Sequence, residues 1–139
     1  MDAQEQQLPQ PPRPEPALEN RPYWEALTEH RLVLQRCTGC QRIRHYPRPV
    51  CDACFSMAYD WAEASGRGTV HTWAITHHPF HPGFKRQVPY TTVTVDLEAG
   101  VRLQAPFRGD SALLKIGLAV VVDYEDVDAN LTLPCFRPA

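Results

Sequence analysis

The sequence predicts a mainly β protein with a short N-terminal helix, a zinc ribbon and a C-terminal OB-type barrel. Two observations carry this prediction. Two Cys-x-x-Cys pairs stand ten residues apart, and the chain beyond them alternates apolar and polar residues with a period of two. Paired cysteines are typical of a metal-stabilised ribbon, and the alternation is typical of short strands. Five or six strands behind a zinc module favour a Greek-key barrel of the OB type.

The chain of 139 residues is expected to fold as one domain with a small appendage. Five prolines among Gln and Glu near the N-terminus predict a disordered tail, or an extended linker from an upstream domain. The expected boundaries are 1–19 for this tail or linker, 20–31 for the N-terminal helix, 32–64 for the zinc ribbon and 65–139 for the OB-fold barrel.

The predicted helix begins at Asn20, a common N-cap residue, and Pro22 fits its first turn because no N–H is needed there. About ten residues are too few for an isolated helix, so this one must pack against something larger. Trp24 shares a face with Tyr23 and Leu27 and has two interpretations. It packs in the protein's own core, or it lines a groove shared with a ligand or a partner.

Alternating segments predict the barrel strands. Between two of them, Glu98-Ala99-Gly100 predicts a three-residue hairpin loop with glycine where φ is positive. The segments cover residues 70–77, 91–97, 101–107, 118–124 and 131–135.

Cys37, Cys40, Cys51 and Cys54 are the predicted ligands of a structural zinc ion. Four thiolates form a closed tetrahedral site with no open position for water or substrate. Gly39 is expected to permit the sharp turn of the first pair. The alternatives are a thioredoxin-like redox pair, whose strand-helix context is missing here, and two unrelated pairs of buried thiols.

Composition excludes several classes of protein. No apolar segment approaches the roughly 20 residues that span a membrane, and the acidic, polar N-terminus is not a secretory signal. A cytoplasmic location is therefore expected, in which reduced thiols bind metal rather than form disulfides. The net charge of -2 argues against strong non-specific binding to nucleic acid, which needs a broad positive field.

Arginines concentrate in the predicted ribbon, where only Asp52 is expected to oppose them. Their planar, permanently charged side chains suit phosphate recognition, and the alternative is an ordinary solvated face. An acidic stretch over residues 123–128 compensates, so the charge of the chain is polarised. The ribbon arginines are Arg31, Arg36, Arg42, Arg44 and Arg48, with His45 beside them.

A histidine cluster, His77, His78 and His81, lies in a long connection between two predicted strands. Two prolines stiffen this segment, and it contains no carboxylate to complete a metal site. Phe80 and Phe84 in the same segment favour a surface that contacts a partner or a ligand. An inert loop and a metal site remain the alternatives.

Motifs of an independent enzyme are missing from the sequence. Cys135, in phase with its apolar neighbours on the last predicted strand, is interpreted as a small buried side chain.

Two rival functions stay open. One is a module for single-stranded nucleic acid that stacks bases on His71, Trp73 and Tyr90, and the other is a hydrolase or lyase that uses His78 and its neighbours.

An ordered series of motifs from about residue 20 to the end resembles the zinc-ribbon and OB-fold family named domain of unknown function 35. The first 19 residues lie outside this resemblance. The motifs are Pro22-Tyr23-Trp24-Glu25-Ala26-Leu27, Leu34-Gln35-Arg36-Cys37-x-x-Cys40, Pro47-Arg48-x-x-Cys51-x-x-Cys54, Ser65-Gly66-Arg67-Gly68-Thr69-Val70, Pro89-Tyr90, Glu98-Ala99-Gly100-Val101-Arg102-Leu103 and Ile116-Gly117-Leu118.

The resemblance implies a rubredoxin-like zinc ribbon and a non-catalytic accessory subunit. Such a subunit binds a thiolase-like enzyme, sometimes beside a hydratase-type subunit, and helps to bind or channel acyl-CoA. The implied settings are a thiolase complex or a retro-aldolase complex, including one for steroid side-chain degradation. The family supplies no catalytic residue to assign. The residues expected to contact acyl-CoA or the partner are Trp24, Arg42, Arg44, Arg48, His78, Phe80 and Phe84.

Overall fold

The computed structural model describes residues 9–139 and shows the mainly β fold that the sequence predicts. One short helix, α1 (Arg21–Thr28), precedes eight strands. No helix in this part of the chain is long and apolar enough to cross a lipid bilayer. The strands are β1 (Val33–Cys37), β2 (Ile43–Arg44), β3 (Tyr59–Glu63), β4 (Arg67–Thr76), β5 (Tyr90–Leu97), β6 (Arg102–Pro106), β7 (Ala119–Asp128) and β8 (Leu131–Pro138).

The predicted N-terminal tail is only partly described, because residues 1–8 lie outside the described residues. The stretch after them has neither helix nor strand up to residue 17, but it touches the barrel at two points. The backbone of Gln10 passes directly over Gly83, and Arg13 Nη1 lies 2.7 Å from Asp128 Oδ2. This part of the chain therefore has defined contacts along the barrel surface.

Helix α1 is shorter than the expected 20–31, and Pro22 lies in its first turn as predicted. Asn20 is the N-cap residue of α1, as predicted, although its side chain does not bond to the helix. Asn20 Oδ1 accepts a hydrogen bond from the Ala17 N–H at 2.6 Å, and it makes no capping bond to the helix. The side chain closes the preceding turn instead, because an Asn oxygen competes for any nearby backbone N–H.

Helix α1, strand β1 and the barrel share one apolar core. Leu27 has no exposed surface, and Tyr23 is also buried. Burial of a leucine of this kind contributes about 2 kcal/mol relative to exposure. Since the helix is too short to be stable alone, this shared core fixes its position between the ribbon and the barrel.

The zinc-ribbon segment forms a three-stranded antiparallel sheet in the order β2-β1-β3. The barrel is a five-stranded sheet in the order β6-β5-β4-β7-β8, again antiparallel. A parallel bridge between Phe107 and Phe136 brings the two end strands together. This closure gives the Greek-key barrel of the OB type that the alternating pattern predicts.

The β5–β6 hairpin confirms the predicted three-residue loop. Gly100 has a φ of 91°, which only glycine adopts without strain, and its N–H donates to the Leu97 carbonyl at 2.9 Å. The tip of this hairpin faces the ribbon across a polar cleft, so the loop helps to form a boundary between the two parts of the fold.

Candidate functional site

The two Cys-x-x-Cys pairs form two turns of the same shape. In each turn, the N–H four residues beyond the first cysteine donates back to the carbonyl of that cysteine. Gln41 donates to Cys37 at 2.8 Å, and Phe55 donates to Cys51 at 3.0 Å. Gln41 and Phe55 have φ values of 65° and 64°, so both turns reverse through a left-handed residue. This repetition places two thiols from each turn on a common centre.

The sulfur atoms of the four predicted ligands lie within 4.8 Å of one another. Cys37 Sγ lies 3.5 Å from Cys54 Sγ, and Cys40 Sγ lies 3.7 Å from Cys51 Sγ. A tetrahedron with Zn–S bonds of about 2.3 Å separates its sulfur atoms by about 3.8 Å, so the cluster fits one zinc ion. Within residues 9–139 this is the only cluster of His, Cys, Asp and Glu with metal-binding geometry.

Backbone N–H groups around the cluster favour the thiolate form. The N–H groups of Cys54 and Ala53 lower the pKa of Cys51 to about 6, and the N–H of Cys40 lowers the pKa of Cys37. Thiolates at such close range repel one another, so their joint ionisation requires a cation. Four soft sulfur donors in a tetrahedral arrangement suit zinc, and all four positions are taken by protein.

Gly39 lies in the first cysteine turn, as predicted, and its N–H points at the Cys37 thiol. Its φ lies outside the left-handed region, which Gln41 adopts instead. A Cβ added at Gly39 would lie 3.0 Å from Ser56 Cβ and 3.3 Å from Cys54 Sγ. Glycine therefore leaves room where the two turns approach closely, and the left-handed residue of the first turn is Gln41 rather than Gly39.

A polar cleft of about 460 Å³ lies between the ribbon and the tip of the β5–β6 hairpin. Arg42, Arg44 and Arg48, the three arginines predicted to meet phosphates, line its ribbon side. Arg102 and Asp96 line the barrel side and pair with each other at 2.8 Å. The structure thus brings the three predicted arginines together at one cavity.

Two other ribbon arginines are neutralised, so the expectation that only Asp52 opposes the ribbon charge was wrong. Arg36 donates two hydrogen bonds to Asp60, at 2.8 and 2.7 Å, and these hold the pKa of the Asp60 carboxyl below its ordinary value. Arg31 Nε lies 3.1 Å from Glu63 Oε1. Both carboxylates lie on β3, which pairs with β1 over a long loop, so local sequence gave no sign of these pairs.

Trp24 packs in part against the protein's own core, as its first interpretation predicts, and it also lines a cleft. It is half-buried against the shared core, and it lines a second, apolar cleft of about 250 Å³ between α1, the ribbon and the barrel. Tyr46 and Pro47 line the ribbon side of this cleft, and Pro106 and Leu133 line the barrel side. The cleft offers apolar contact with few polar groups.

An aromatic row joins the two clefts. Ring centroids lie 5.3 Å apart between Trp24 and Tyr23, 5.2 Å between Tyr23 and His45, and 4.0 Å between His45 and Tyr46. The Tyr46 hydroxyl accepts a hydrogen bond from the Gln104 N–H at 3.4 Å, at the open edge of β6. Since His45 lines the polar cleft and Tyr46 the apolar one, the two clefts are neighbours on one face.

His78, Phe80 and Phe84 lie in the loop between β4 and β5 and line neither of these clefts. Phe80 is 81% exposed, and its ring meets the His78 ring edge-on at 4.8 Å. Strand β5 begins beside this loop and ends beside the polar cleft, about 25 Å along the strand. The three predicted arginines and this loop therefore lie on two separate surfaces.

The histidine cluster does not gather into a metal site in the part of the chain that the structure describes. His81 Nδ1 accepts a hydrogen bond from the Gly83 N–H at 2.9 Å, where a short 3-10 turn begins. This bond gives His81 a local structural role, which was not among its predicted interpretations.

His71, Trp73 and Tyr90, the predicted base-stacking residues of the nucleic-acid alternative, lie in different surroundings. His71 Nδ1 lies 3.4 Å from Asp96 Oδ2, Trp73 packs against the core, and the Tyr90 ring lies 5.7 Å from the Phe84 ring. A base-stacking surface needs exposed rings in a row over a basic groove. Across residues 9–139, these three rings make no mutual stack.

Sequence reasoning did not identify Tyr46 or Arg102 as cleft residues, nor Gln35 as the hydrogen-bond partner of Arg44. A signal existed for Gln35, because it is a polar residue inside a strand whose neighbour Leu34 is fully buried. Tyr46 lines the apolar cleft and Arg102 the polar one, and both clefts form where the ribbon packs against the barrel. No local sequence pattern predicts this packing.

Comparison with known proteins agrees with this architecture. Residues 24–60 match the family model "ChsH2, rubredoxin-like zinc ribbon domain", and residues 61–125 match "ChsH2, C-terminal OB-fold domain". A solved structure entitled "Ltp2-ChsH2(DUF35) aldolase" contains a chain that is 41% identical, with a TM-score of 0.82. That match covers 91% of this chain and 98% of the solved one.

Two curated relatives are hydratase subunits by name. A "Probable enoyl-CoA hydratase alpha subunit" of Thermomonospora curvata is 42% identical over 98% of this chain. The "3-oxo-4,17-pregnadiene-20-carboxyl-CoA hydratase alpha subunit" of Mycobacterium tuberculosis is 35% identical over 82% of it. This chain spans only 43% and 36% of the length of these two relatives. The ordered matches, the four-cysteine ribbon and the barrel show that the chain belongs to the DUF35 family, with a ChsH2-type zinc ribbon and OB-fold domain.

Proposed function

We propose that this chain is a non-catalytic accessory subunit that binds a thiolase-like aldolase and helps to hold or channel its acyl-CoA substrate. One observation carries the proposal: the match to 98% of a chain in a structure entitled "Ltp2-ChsH2(DUF35) aldolase", at 41% identity. At that identity and coverage, the surfaces that meet a partner are expected to be shared as well as the fold.

The closed metal site supports an accessory role. All four positions around the zinc ion belong to cysteines, so the ion has no place for a water molecule or a substrate oxygen. The ion then stabilises the ribbon, whose three short strands bury little apolar surface of their own. Reduced cysteines are required for this site, which favours the cytoplasmic location predicted from the sequence.

The two neighbouring clefts support the acyl-CoA part of the proposal. The polar cleft offers guanidinium groups to phosphates, and the apolar cleft offers Trp24 and Tyr46 to an apolar portion of the ligand. The name of the mycobacterial relative contains a pregnadiene carboxyl-CoA, which has a phosphorylated end and an apolar end. The proposed setting is therefore steroid side-chain degradation, with acyl-CoA held across this face.

A hydratase-type partner is the second part of the assembly that we propose. Two relatives are named hydratase alpha subunits and are more than twice as long as this chain. A hydratase domain, on the same chain or on another, would then lie beside the DUF35 unit. The exposed loop with His78, Phe80 and Phe84 lies at the end of β5 opposite the polar cleft, and we assign it to the contact with the aldolase rather than to the hydratase domain.

Co-purification tests the proposal. The thiolase-like protein encoded nearest to this chain is co-expressed with the tagged chain, and the complex is analysed by gel filtration with light scattering. We expect one stable complex of the two proteins. A thiolase that has no DUF35 partner is the control. Separate elution of the two proteins at micromolar concentration contradicts the proposal.

A further inference from the structure

Arg44 is a buried arginine that lacks a carboxylate partner. Only 6% of it is exposed, its Nε donates to Gln35 Oε1 at 2.6 Å, and its Nη2 donates to the Arg48 carbonyl at 2.9 Å. Its guanidinium carbon lies 5.8 Å from the centre of the Tyr59 ring, a weak cation–π contact. A buried charge with no opposite charge is costly, so a counter-ion is expected nearby.

None of the ion pairs within residues 9–139 includes Arg44 or Arg48. The carboxylates that line the same cleft already have cationic partners. Asp96 lies 2.8 Å from Arg102, and Asp52 lies 3.7 Å from Arg42. The uncompensated positive charge of the polar cleft therefore belongs to Arg44 and Arg48.

The buried polar side-chain atoms that lack a hydrogen-bond partner cluster at this same place. In the described residues they are Gln35 Nε2, Arg44 Nη1 and both ring nitrogens of His45. The orientation of Gln35 is settled, because its Oε1 accepts from Arg44 and from the Arg48 N–H at 2.8 Å. Neutral histidine has one N–H, so at least three of the four atoms are donors. Buried donors that lack a partner indicate a missing acceptor.

Arg44 and His45 both line the polar cleft, as does Arg48. The side chain of Arg48 is exposed, so it is free to close over a ligand. Arg44 Nη1 and both ring nitrogens of His45 are closed off from solvent, so a ligand that accepts from them must enter past the side chains that cover them, as a terminal group can. A phosphate in the middle of a chain has substituents on both sides and does not fit such a position.

We propose that the polar cleft is a binding site for a terminal phosphate group, held by Arg44 and Arg48 with His45 as a further donor. Gln35 acts as a positioning residue, because it fixes the guanidinium of Arg44 from behind. Phosphate oxygens accept from Arg44 Nη1, from a ring N–H of His45 and from the exposed guanidinium of Arg48, and the negative charge compensates the buried arginine. The phosphate is inorganic, or it is the 3′-phosphate of coenzyme A, in which case the assignment rests on the function proposed above.

The experiment compares three probes on the full chain with zinc bound, in a buffer without phosphate. Isothermal titration calorimetry measures the affinity for coenzyme A, for dephospho-coenzyme A, which lacks only the 3′-phosphate, and for inorganic phosphate. We expect coenzyme A to bind about tenfold more tightly than dephospho-coenzyme A, the effect of a charged hydrogen bond. Inorganic phosphate should compete with coenzyme A for this site. Tight binding of phosphate with equal affinity for both coenzymes would indicate a free-phosphate site and would overturn the coenzyme assignment.

The variant Arg48→Gln keeps the backbone contacts of residue 48 and removes only its exposed charge. It should reduce coenzyme A affinity about tenfold and leave dephospho-coenzyme A unaffected. Arg44→Lys should have the same effect, provided that its circular dichroism spectrum is unchanged. Arg108→Gln, which removes an arginine paired with Glu125 on the barrel, is the matched control and should bind normally.

Equal affinity for the two coenzymes together with no phosphate binding overturns the proposal, and so does unchanged binding by Arg48→Gln. Complex formation with the aldolase is measured separately by gel filtration. If the complex forms but the phosphate preference is missing, the phosphate site is refuted while the accessory role stands. If the preference is present but no complex forms, the accessory role is refuted instead.

Discussion

Gly83 lies directly beneath the backbone of Gln10, so the N-terminal segment crosses the β4–β5 loop at a position that admits no side chain. A Cβ added at Gly83 would stand 2.5 Å from the carbonyl carbon and oxygen of Gln10. Contacts this short with backbone atoms are not relieved by a change of rotamer. The crossing joins the N-terminal segment to the loop that contains Phe80 and Phe84.

The substitution Gly83→Ala should displace this segment and cost about 1 kcal/mol of unfolding free energy, measured by urea titration. A chain that lacks residues 1–14 is the control, because the same substitution then meets no backbone. In that shortened chain Gly83→Ala should be neutral or slightly stabilising, since alanine restricts the unfolded state. An equal cost in both chains would show that the crossing does not explain the glycine.

The substitution Cys51→Ser should abolish stoichiometric zinc and unfold the ribbon. Structural zinc contributes on the order of 10 kcal/mol in small zinc modules, more than this sheet can supply by apolar burial. Metal analysis by mass spectrometry and far-ultraviolet circular dichroism measure the two effects. Cys135→Ser is the matched control, because Cys135 lies on β8 outside the cluster and should leave the zinc content at one per chain. Retention of zinc by Cys51→Ser would refute the four-thiolate site.

Acidification should destabilise the folded chain through His45. Burial lowers the pKa of His45 from 6.5 to about 4. Between these values the unfolded chain binds a proton that the folded chain does not, so stability falls as pH decreases. The expected loss from this residue is about 2 kcal/mol between about pH 7 and about pH 5.

The variant His45→Gln should lose this part of the pH dependence, as measured by urea unfolding in phosphate-free buffer. The exposed His78→Gln serves as the control and should retain the slope of the natural chain. Because the zinc thiolates also titrate in acid, the difference between the two variants is the informative quantity. Identical slopes in both variants would mean that His45 is accessible to protons in the folded state.

The substitution Phe80→Ser should weaken the complex with the aldolase without affecting the fold. Phe80 is 81% exposed and its side chain contributes little to the core. Removing an aromatic contact at the centre of an interface raises Kd about tenfold or more. Surface plasmon resonance measures the Kd, and thermal unfolding verifies the fold. Ile116→Ser, at a position that is 77% exposed on another loop, is the matched control. A normal Kd for Phe80→Ser would remove the β4–β5 loop from the interface.

Sequence reasoning succeeded where the signal is local. The gathering of the four cysteines can be predicted from spacing alone, because each Cys-x-x-Cys pair defines its own turn. The β5–β6 hairpin is indicated by a glycine between two alternating segments, and the barrel is indicated by the number of such segments. These patterns need no knowledge of which elements meet in space.

Sequence reasoning failed where the answer depends on distant contacts. From the sequence, Arg36 is expected to be an unpaired charge. The pairing of β3 with β1 brings Asp60 beside it. Arg44 reads as an exposed arginine, although Gln35 holds it below the surface. From the sequence, Phe80 and Arg48 are expected to contact the same ligand or partner. In the structure the length of β5, about 25 Å, separates their surfaces. Each of these relationships arises from packing between segments that local pattern cannot pair.

The catalytic efficiency of the aldolase with and without this chain tests the accessory role most directly. Cleavage of a steroid side-chain acyl-CoA is monitored for the purified aldolase, for this chain alone, and for the two together. The proposed role predicts that kcat/KM falls about tenfold or more when the chain is omitted. It also predicts no turnover by the chain alone. An unchanged kcat/KM without the chain, or turnover by the chain on its own, would contradict it.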